Sequence, residues 1–115
     1  MILNLTPHPI RLYDAEREDG IDDLDLHLRT VIEPEGAPAR LATIELGTQW
    51  DGTELVEYGH AHNLPPRRDG ARYVVSLVVA LSLAPSGRND LLVPYREVRN
   101  SSGTVIGCRQ LAQPV

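Results

Sequence analysis

Hydrophobic and polar residues alternate over several short stretches in the first half of the chain, a pattern typical of half-buried β-strands. Residues 1–5 and 9–13 flank the run Thr-Pro-His-Pro, whose two prolines cannot donate hydrogen bonds to a sheet. The two stretches therefore form either one kinked edge strand or two strands around a turn. Residues 27–32 also alternate and predict a further strand.

Two hairpins are predicted further along the chain. Residues 39–46 alternate, the dipeptide Asp-Gly that follows is typical of a tight turn, and residues 53–59 are expected to pair back on them. Residues 97–99 and 104–111 flank Asn-Ser-Ser-Gly, which has the composition of a second turn. Each pair of stretches is therefore expected to form two antiparallel strands.

The run of residues 72–84 is almost continuously apolar. Periodicity alone does not separate one long buried strand from a strand followed by a helix. Ser76 interrupts the run and can cap a helix, and the Pro-Ser-Gly sequence after residue 84 can end one. These signals favour a short strand at 72–75 and one main helix at about 77–84.

These elements predict the fold class. Five to seven short strands and one main helix are expected, and most of the strands are joined by hairpins. We predict a single domain over residues 1–115, of the α+β class, built on a small antiparallel or mixed β-sheet.

The net charge of -5 hides an uneven distribution. Residues 14–25 hold seven acidic side chains and one arginine, which predicts an acidic, mobile surface loop. From residue 67 onward there are seven arginines and three acidic residues. An acidic chain argues against a nucleic-acid partner, but a few arginines are compatible with a small anionic ligand.

Cysteine content and hydropathy indicate the compartment. Cys108 is the only cysteine, which excludes an intrachain disulfide and a thiolate metal cage. The first residues show no signal-peptide pattern, and the apolar run at 74–84 is far shorter than the ~20 residues that span a bilayer. We therefore expect a cytoplasmic protein with no membrane partner.

The Thr-Pro-His-Pro run has two interpretations. In the structural one, Asn4 and Thr6 satisfy backbone groups at a bend and His8 is a half-exposed turn residue. In the functional one, the flanking prolines hold the His8 imidazole rigidly in a cleft, where it donates to a ligand or acts as a general base.

His60 and His62 are candidates for a metal site. They lie two residues apart, so on an extended chain both point the same way. A third ligand from His8, His27 or a carboxylate would complete such a site. The alternative is a polar strand end, and no specific zinc motif is present. The sequence therefore assigns no metal and no cofactor.

The second half of the chain offers polar groups for an anion. If Ser76 caps the helix, free backbone N–H groups of the first turn lie beside it. Arg88 and Asp90 either pair with each other or bind a ligand, in which case the arginine can contact phosphate through two hydrogen bonds. Cys108 is expected to be buried and inert, and strand alternation directs Arg109 to the opposite face. The side chains proposed to stack on a base are Trp50, Tyr58, Tyr73 and Tyr95.

Several short segments occur together in this chain, namely NLTPHPI, VEYG followed by LP, YVVS, DLLVP and VIGCR. In order and spacing they resemble a family of small uncharacterised proteins encoded by actinobacteria and their phages. The resemblance covers most of the chain except the acidic segment near 14–25, and it carries no catalytic assignment. It implies a phage accessory role, which in such proteins is often the inhibition or sequestration of a host-defence signal.

The leading hypothesis is a non-catalytic, phage-type accessory protein that sequesters a small anionic, nucleotide-like molecule. Its sites are expected at contacts within a homo-oligomer. The predicted ligand-binding residues are His8, Tyr58, Ser76, Arg88, Asp90, Arg96 and Arg109. Two alternatives stay open. One is a protein-interaction or phage structural module, and the other is a metal-dependent hydrolase that uses His60 and His62.

Overall fold

A computed structural model describes residues 1–114, apart from the side chains of residues 48–50. This part of the chain contains eight β-strands, one α-helix and one 3-10 turn. In chain order they are β1 (Ile2–Asn4), β2 (Ile10–Tyr13), β3 (Leu28–Ile32), β4 (Arg40–Trp50), β5 (Thr53–His62), β6 (Arg72–Val74), α1 (Leu77–Leu83), the 3-10 turn (Ala84–Ser86), β7 (Leu91–Arg99) and β8 (Val105–Ala112). The α+β class with a mixed sheet is confirmed, as are both hairpins, β4–β5 and β7–β8.

The predicted number of five to seven strands is wrong, because the described residues form eight. The stretches around Thr-Pro-His-Pro are two separate strands, β1 and β2, which are not neighbours in the sheet. Residues 91–99 form one strand that continues through Pro94. Proline is tolerated at position 94 because β6 pairs with β7 only as far as Leu92. The N–H that proline lacks is therefore not needed for a hydrogen bond to β6.

Six strands form one curled sheet in the order β1-β6-β7-β8-β2-β3, and β4 and β5 form a separate two-stranded sheet. The curl brings the two edges of the large sheet together, because Asn4 at the end of β1 forms a parallel bridge with Pro34, just after β3. Two backbone hydrogen bonds extend this closure. The Glu35 N–H donates to the Asn4 carbonyl at 2.8 Å, and the Ala39 N–H donates to the Leu5 carbonyl at 2.9 Å.

The Asn4 side chain is fully buried at this closure. Its Nδ2 donates to the carbonyls of His8 at 2.8 Å and Ile32 at 2.9 Å. Its Oδ1 accepts from the backbone N–H of Thr6 at 2.8 Å and from the Thr6 hydroxyl at 2.6 Å. All four hydrogen-bonding positions of the carboxamide are therefore used. One side chain joins β1, the Thr-Pro-His-Pro turn and the end of β3.

The two faces of the curled sheet bury different apolar clusters, because neighbouring residues on a strand point to opposite faces. Tyr73 belongs to the cluster that Val79 and Ala80 of α1 cover. Val74 belongs to the other cluster, which collects side chains from five strands and so lies inside the curl. Its remaining members are Ile10, Leu12, Ile32, Leu92, Cys108 and Leu111.

The acidic segment after β2 is organised around Arg17, whose side chain is 1% exposed. The Arg17 guanidinium lies 4.6 Å from the centre of the Tyr13 ring and donates to four carbonyls of the loop. Asp19 accepts from the Arg99 N–H at 3.0 Å, and Asp22 accepts from the Ser101 N–H at 2.9 Å. The segment lies on the surface as expected, but it is tied to the β7–β8 hairpin.

The β4–β5 hairpin projects from the rest of the chain, and we call it the arm. Leu41 and Ala61 at its base pack against the core. Farther out, residues 43–47 and 51–58 are exposed. The radius of gyration is 16.4 Å, whereas a compact chain of this length has about 13 Å. The arm is the element that extends the molecule.

No helix in the part of the chain that the structure describes has the length and apolar character needed to cross a bilayer.

Replacing Asn4 should destabilise the fold. Asn4→Ala leaves the carbonyls of His8 and Ile32 without their donor inside the closure, so we expect a loss of about 2–4 kcal/mol in the free energy of unfolding. Asn89→Ala is the matched control, because Asn89 is exposed and its carboxamide has no hydrogen-bond partner in the described part of the chain. It should cost under about 1 kcal/mol. Urea denaturation measures both, and equal losses would contradict the role of Asn4.

A second prediction concerns the close approach of β8 to β2. A Cβ at Gly107 would clash with the Arg11 carbonyl and lie 2.8 Å from the Tyr13 ring. Gly107→Ala should therefore cost about 1–3 kcal/mol. At Gly59 an added Cβ meets only flexible side chains, the nearest being the Ile44 side chain at 3.1 Å. Gly59→Ala should stay within about 1 kcal/mol of wild type. A melting point unchanged by Gly107→Ala would contradict this packing.

Candidate functional site

A cavity of about 540 Å³ lies between the Thr-Pro-His-Pro turn, the end of β6 and the β7–β8 hairpin. We call it the His8 cavity. Its polar lining consists of Thr6, His8, Arg11, Ser76 and Glu97. Most of its accessible wall is apolar and is formed by Pro9, Ile10, Val75, Pro94, Val105, Gly107 and Cys108. Both its volume and its mixture of an apolar wall with a few polar groups are typical of small-molecule sites.

His8 and Arg11 are the two side chains of the His8 cavity that offer nitrogen donors to a ligand. Neither the imidazole nor the guanidinium has a hydrogen-bond or ion-pair partner in the part of the chain that the structure describes. The closure at Asn4 holds the backbone of the turn in place, because the His8 carbonyl accepts a hydrogen bond from Asn4 Nδ2. Both donors are therefore free while the backbone that carries His8 is held.

The other polar groups of the cavity already have partners. The Thr6 hydroxyl donates to Asn4, and the Ser76 hydroxyl accepts from the Val79 N–H at 3.5 Å, which confirms Ser76 as the cap of α1. The Glu97 carboxylate pairs with Arg99 at 3.4 Å. The Thr6 hydroxyl and the Glu97 carboxylate are thus engaged within the protein, whereas the Ser76 hydroxyl keeps its own proton for a further bond.

Cys108 is fully buried at the wall of the cavity. Burial raises the pKa of the Cys108 thiol, so the thiolate that would act as a nucleophile is disfavoured. The expectation of a buried, inert cysteine is consistent with this geometry.

Arg88 and Asp90 lie elsewhere and pair with each other. The guanidinium donates to both carboxylate oxygens, at 2.9 and 3.0 Å, and also to the Pro65 carbonyl at 3.0 Å. These hydrogen bonds lower the pKa of the largely buried Asp90 carboxyl. The pair fixes the connector before β6 to the start of β7.

A second, more polar concavity of about 430 Å³ lies beside this pair. Asp90 lines it, together with Arg67, Arg68, Asp69 and Arg72. Arg72 is partly engaged, because it donates to Gln113 at 2.6 Å. The concavity therefore combines arginines with two acidic side chains.

The remaining predicted residues lie apart from the His8 cavity. Arg109 holds the acidic loop, donating to the Arg17 carbonyl at 2.8 Å and to Asp19 at 3.2 Å. Arg96 is exposed on β7, where its backbone has a positive φ of 55°. Tyr58 is exposed on the arm and lines a third cavity.

The stacking groups and the histidine pair are also dispersed. Tyr73 is buried in the core, Tyr95 is exposed on β7, and Trp50 has a side chain outside the described residues. His60 and His62 are exposed on β5. Within residues 1–114, no three His, Cys, Asp or Glu side chains come close enough to hold a metal ion.

The structure thus brings together two of the seven predicted residues, His8 and Ser76, in one cavity. It places no late arginine beside His8. The guanidinium that accompanies the imidazole is that of Arg11, which sequence reasoning missed. The available signal was its position three residues after His8, directly beyond the rigid turn.

Comparisons with protein-family models, with curated proteins and with solved structures gave no match to this chain. The resemblance to proteins of actinobacteria and their phages therefore stays a prediction.

The Asp90 carboxyl makes stability depend on pH in a defined direction. Its folded-state pKa is lowered from the ordinary value of 3.8, so its ionised form stabilises the fold above that value. The contribution is lost as the pH falls through the lower, folded-state pKa. Asp90→Asn should be less stable than wild type at pH 7, and the difference should shrink below pH 3.8. Urea denaturation across this range tests it, and a constant difference would contradict it.

Proposed function

We propose that this protein binds a small anionic, nucleotide-like molecule in the His8 cavity and sequesters it without chemical change. One observation carries the proposal. The imidazole of His8 and the guanidinium of Arg11 line the same largely apolar cavity, and neither has a partner in the described part of the protein.

The chemistry of the two side chains supports an anionic ligand. A guanidinium offers paired N–H donors that match phosphate oxygens, and an imidazole offers a further donor. The one carboxylate of the cavity, Glu97, is paired with Arg99. An anion would therefore meet donors on one side and a carboxylate that is paired with an arginine on the other.

The apolar wall supports a ligand with a flat, weakly polar part. Pro9, Val75, Pro94 and Val105 offer surface against which a base or sugar can pack. A volume of about 540 Å³ falls within the range of about 300–1,000 Å³ that holds small-molecule ligands. A ligand whose phosphate contacts His8 and Arg11 and whose base packs on the apolar wall would fill the cavity.

Binding without turnover is supported by the state of the hydroxyl and thiol groups. The Thr6 hydroxyl donates to Asn4, and the Ser76 hydroxyl accepts from the helix it caps. The Cys108 thiol is buried with a raised pKa. None of the three has the adjacent, oriented base that activates a nucleophile. Sequestration of a host-defence signal is the role that the resemblance to phage proteins suggests.

Calorimetric titration with cyclic dinucleotides and ADP-ribose derivatives tests the proposal. We expect at least one of these ligands to bind. Arg11→Ala should weaken that binding by about 10- to 100-fold, because a charged hydrogen bond contributes about 1.5–3 kcal/mol. His8→Ala should weaken it in the same direction. The bound ligand should be recovered unchanged in mass.

Two matched controls locate the site. Arg29→Ala and His60→Ala remove the same side chains from exposed positions outside the His8 cavity and should leave affinity unchanged. Absence of binding throughout the ligand panel would overturn the proposal. So would weakening by Arg72→Ala but not by Arg11→Ala, since this would move the site to the second concavity.

A further inference from the structure

The exposed apolar residues of this protein concentrate in two places. On the arm, Ile44, Leu55, Val56 and Tyr58 are between 37% and 63% exposed. On α1, the exposed apolar side chains are Leu77, Val78 and Leu81, at 41% to 54%. An isolated two-stranded hairpin is at best marginally stable in water, so an arm of this length is expected to gain a packing partner.

The arm and the helix form a groove where they meet. A cavity of about 560 Å³ is lined by Leu41 and Tyr58 from the arm and by Leu77, Val78, Leu81 and Ser82 from α1. Its wall is almost entirely apolar. We call it the arm groove. Because Tyr58 pairs with Thr43, and Ile44 with Glu57, the side chains of Tyr58 and Ile44 lie on opposite faces of the arm. One face therefore lines the groove, and the other is an unpartnered surface containing Ile44 and Leu55.

We propose that two copies of this chain associate reciprocally, with the outer face of each arm packed in the arm groove of the other copy. Each copy supplies both a projecting surface and a receiving groove, so the contact is self-complementary, as a two-fold dimer requires. The inference concerns surfaces outside the His8 cavity and does not depend on the proposed function.

Charge favours a second copy as the occupant. The arm, residues 40–62, contains four acidic residues and one basic residue, Arg40 at its base. Further arginines follow the arm, and Arg67 donates to the Gly87 carbonyl at 3.3 Å, just beyond α1 and its 3-10 turn. If the acidic arm of one copy lies along α1 of the other copy, its carboxylates approach arginines of that other copy. A dimer formed by stacking two arms along their length would instead bring the acidic side chains of both copies together. Charge therefore favours packing of the arm in the partner's groove over packing of arm on arm.

The available area is sufficient for a specific dimer. Residues 43–50 of β4 lie beyond the base that packs on the core and extend over about 26 Å, so a two-stranded ribbon about 10 Å wide presents about 260 Å² on one face. In a reciprocal contact each copy buries its arm face and a groove region of similar size. The total of about 520 Å² per partner, or about 1,040 Å² for the contact, clears the about 1,000 Å² expected of a biological interface.

Analytical ultracentrifugation of the full chain tests the proposal. We expect a particle of twice 12.7 kDa that dissociates on dilution. Leu55→Asp in the arm and Leu81→Asp in the groove should each raise the dissociation constant by about 100-fold. Leu55→Ser and Leu81→Ser provide milder versions if the acidic variants unfold. Tyr95→Ser is a control, since Tyr95 is as exposed as these residues but lies on β7, and it should leave the dimer intact.

Mixing the Leu55→Asp and Leu81→Asp chains distinguishes reciprocal packing of arms in grooves from other modes of dimerisation. The Leu55→Asp chain keeps its groove and the Leu81→Asp chain keeps its arm, so the mixture should form a heterodimer through one intact contact. It should be tighter than either variant alone and weaker than wild type. A monomeric wild type would overturn the proposal, even if another protein were found to bind the groove. A dimer that survives both substitutions, or no gain on mixing, would also overturn it.

Discussion

The carboxamide of Asn4 is the interaction on which the rest of this fold depends. A curled sheet must close its edges or leave backbone groups exposed, and here the edges meet at a bridge between Asn4 and Pro34. The buried side chain donates to His8 and Ile32 and accepts twice from Thr6. Because every position of the carboxamide is used, neither an aliphatic residue nor a carboxylate can replace it without leaving buried groups unsatisfied.

The same closure creates the candidate site. It holds the Thr-Pro-His-Pro turn against the inner cluster of the sheet, so that His8 and Arg11 line one cavity with the β7–β8 hairpin. Gly107 lets β8 approach β2 closely enough to complete the wall. The backbone carbonyl of His8 belongs to the closure, as the structural interpretation of the turn requires. The His8 side chain lines the cavity, and its functional interpretation stays a prediction.

Charge is used in two ways in this molecule. Arg17, Arg88 and Arg109 are structural, since each donates several hydrogen bonds to carbonyls or carboxylates of its own chain. They fasten the acidic loop and the connector before β6. Arg11 has no such partner in the described part of the chain. In the acidic segment, which was predicted to be a mobile surface loop, backbone carbonyls surround the one buried guanidinium of Arg17.

The sequence by itself determined the local elements. Alternation, Asp-Gly and Asn-Ser-Ser-Gly turns, and the Ser76 cap predicted both hairpins and the strand followed by a helix, because these signals act between residues close along the chain. Tertiary structure alone decided the strand order, the closure at Asn4 and the partner of each arginine. Those depend on pairings such as Asn4 with Ile32 and Arg17 with Arg109, which lie far apart in sequence and leave no local pattern. Two of the predicted residues, His8 and Ser76, therefore line one cavity with Arg11, which was not predicted, whereas Arg109 lies apart from it.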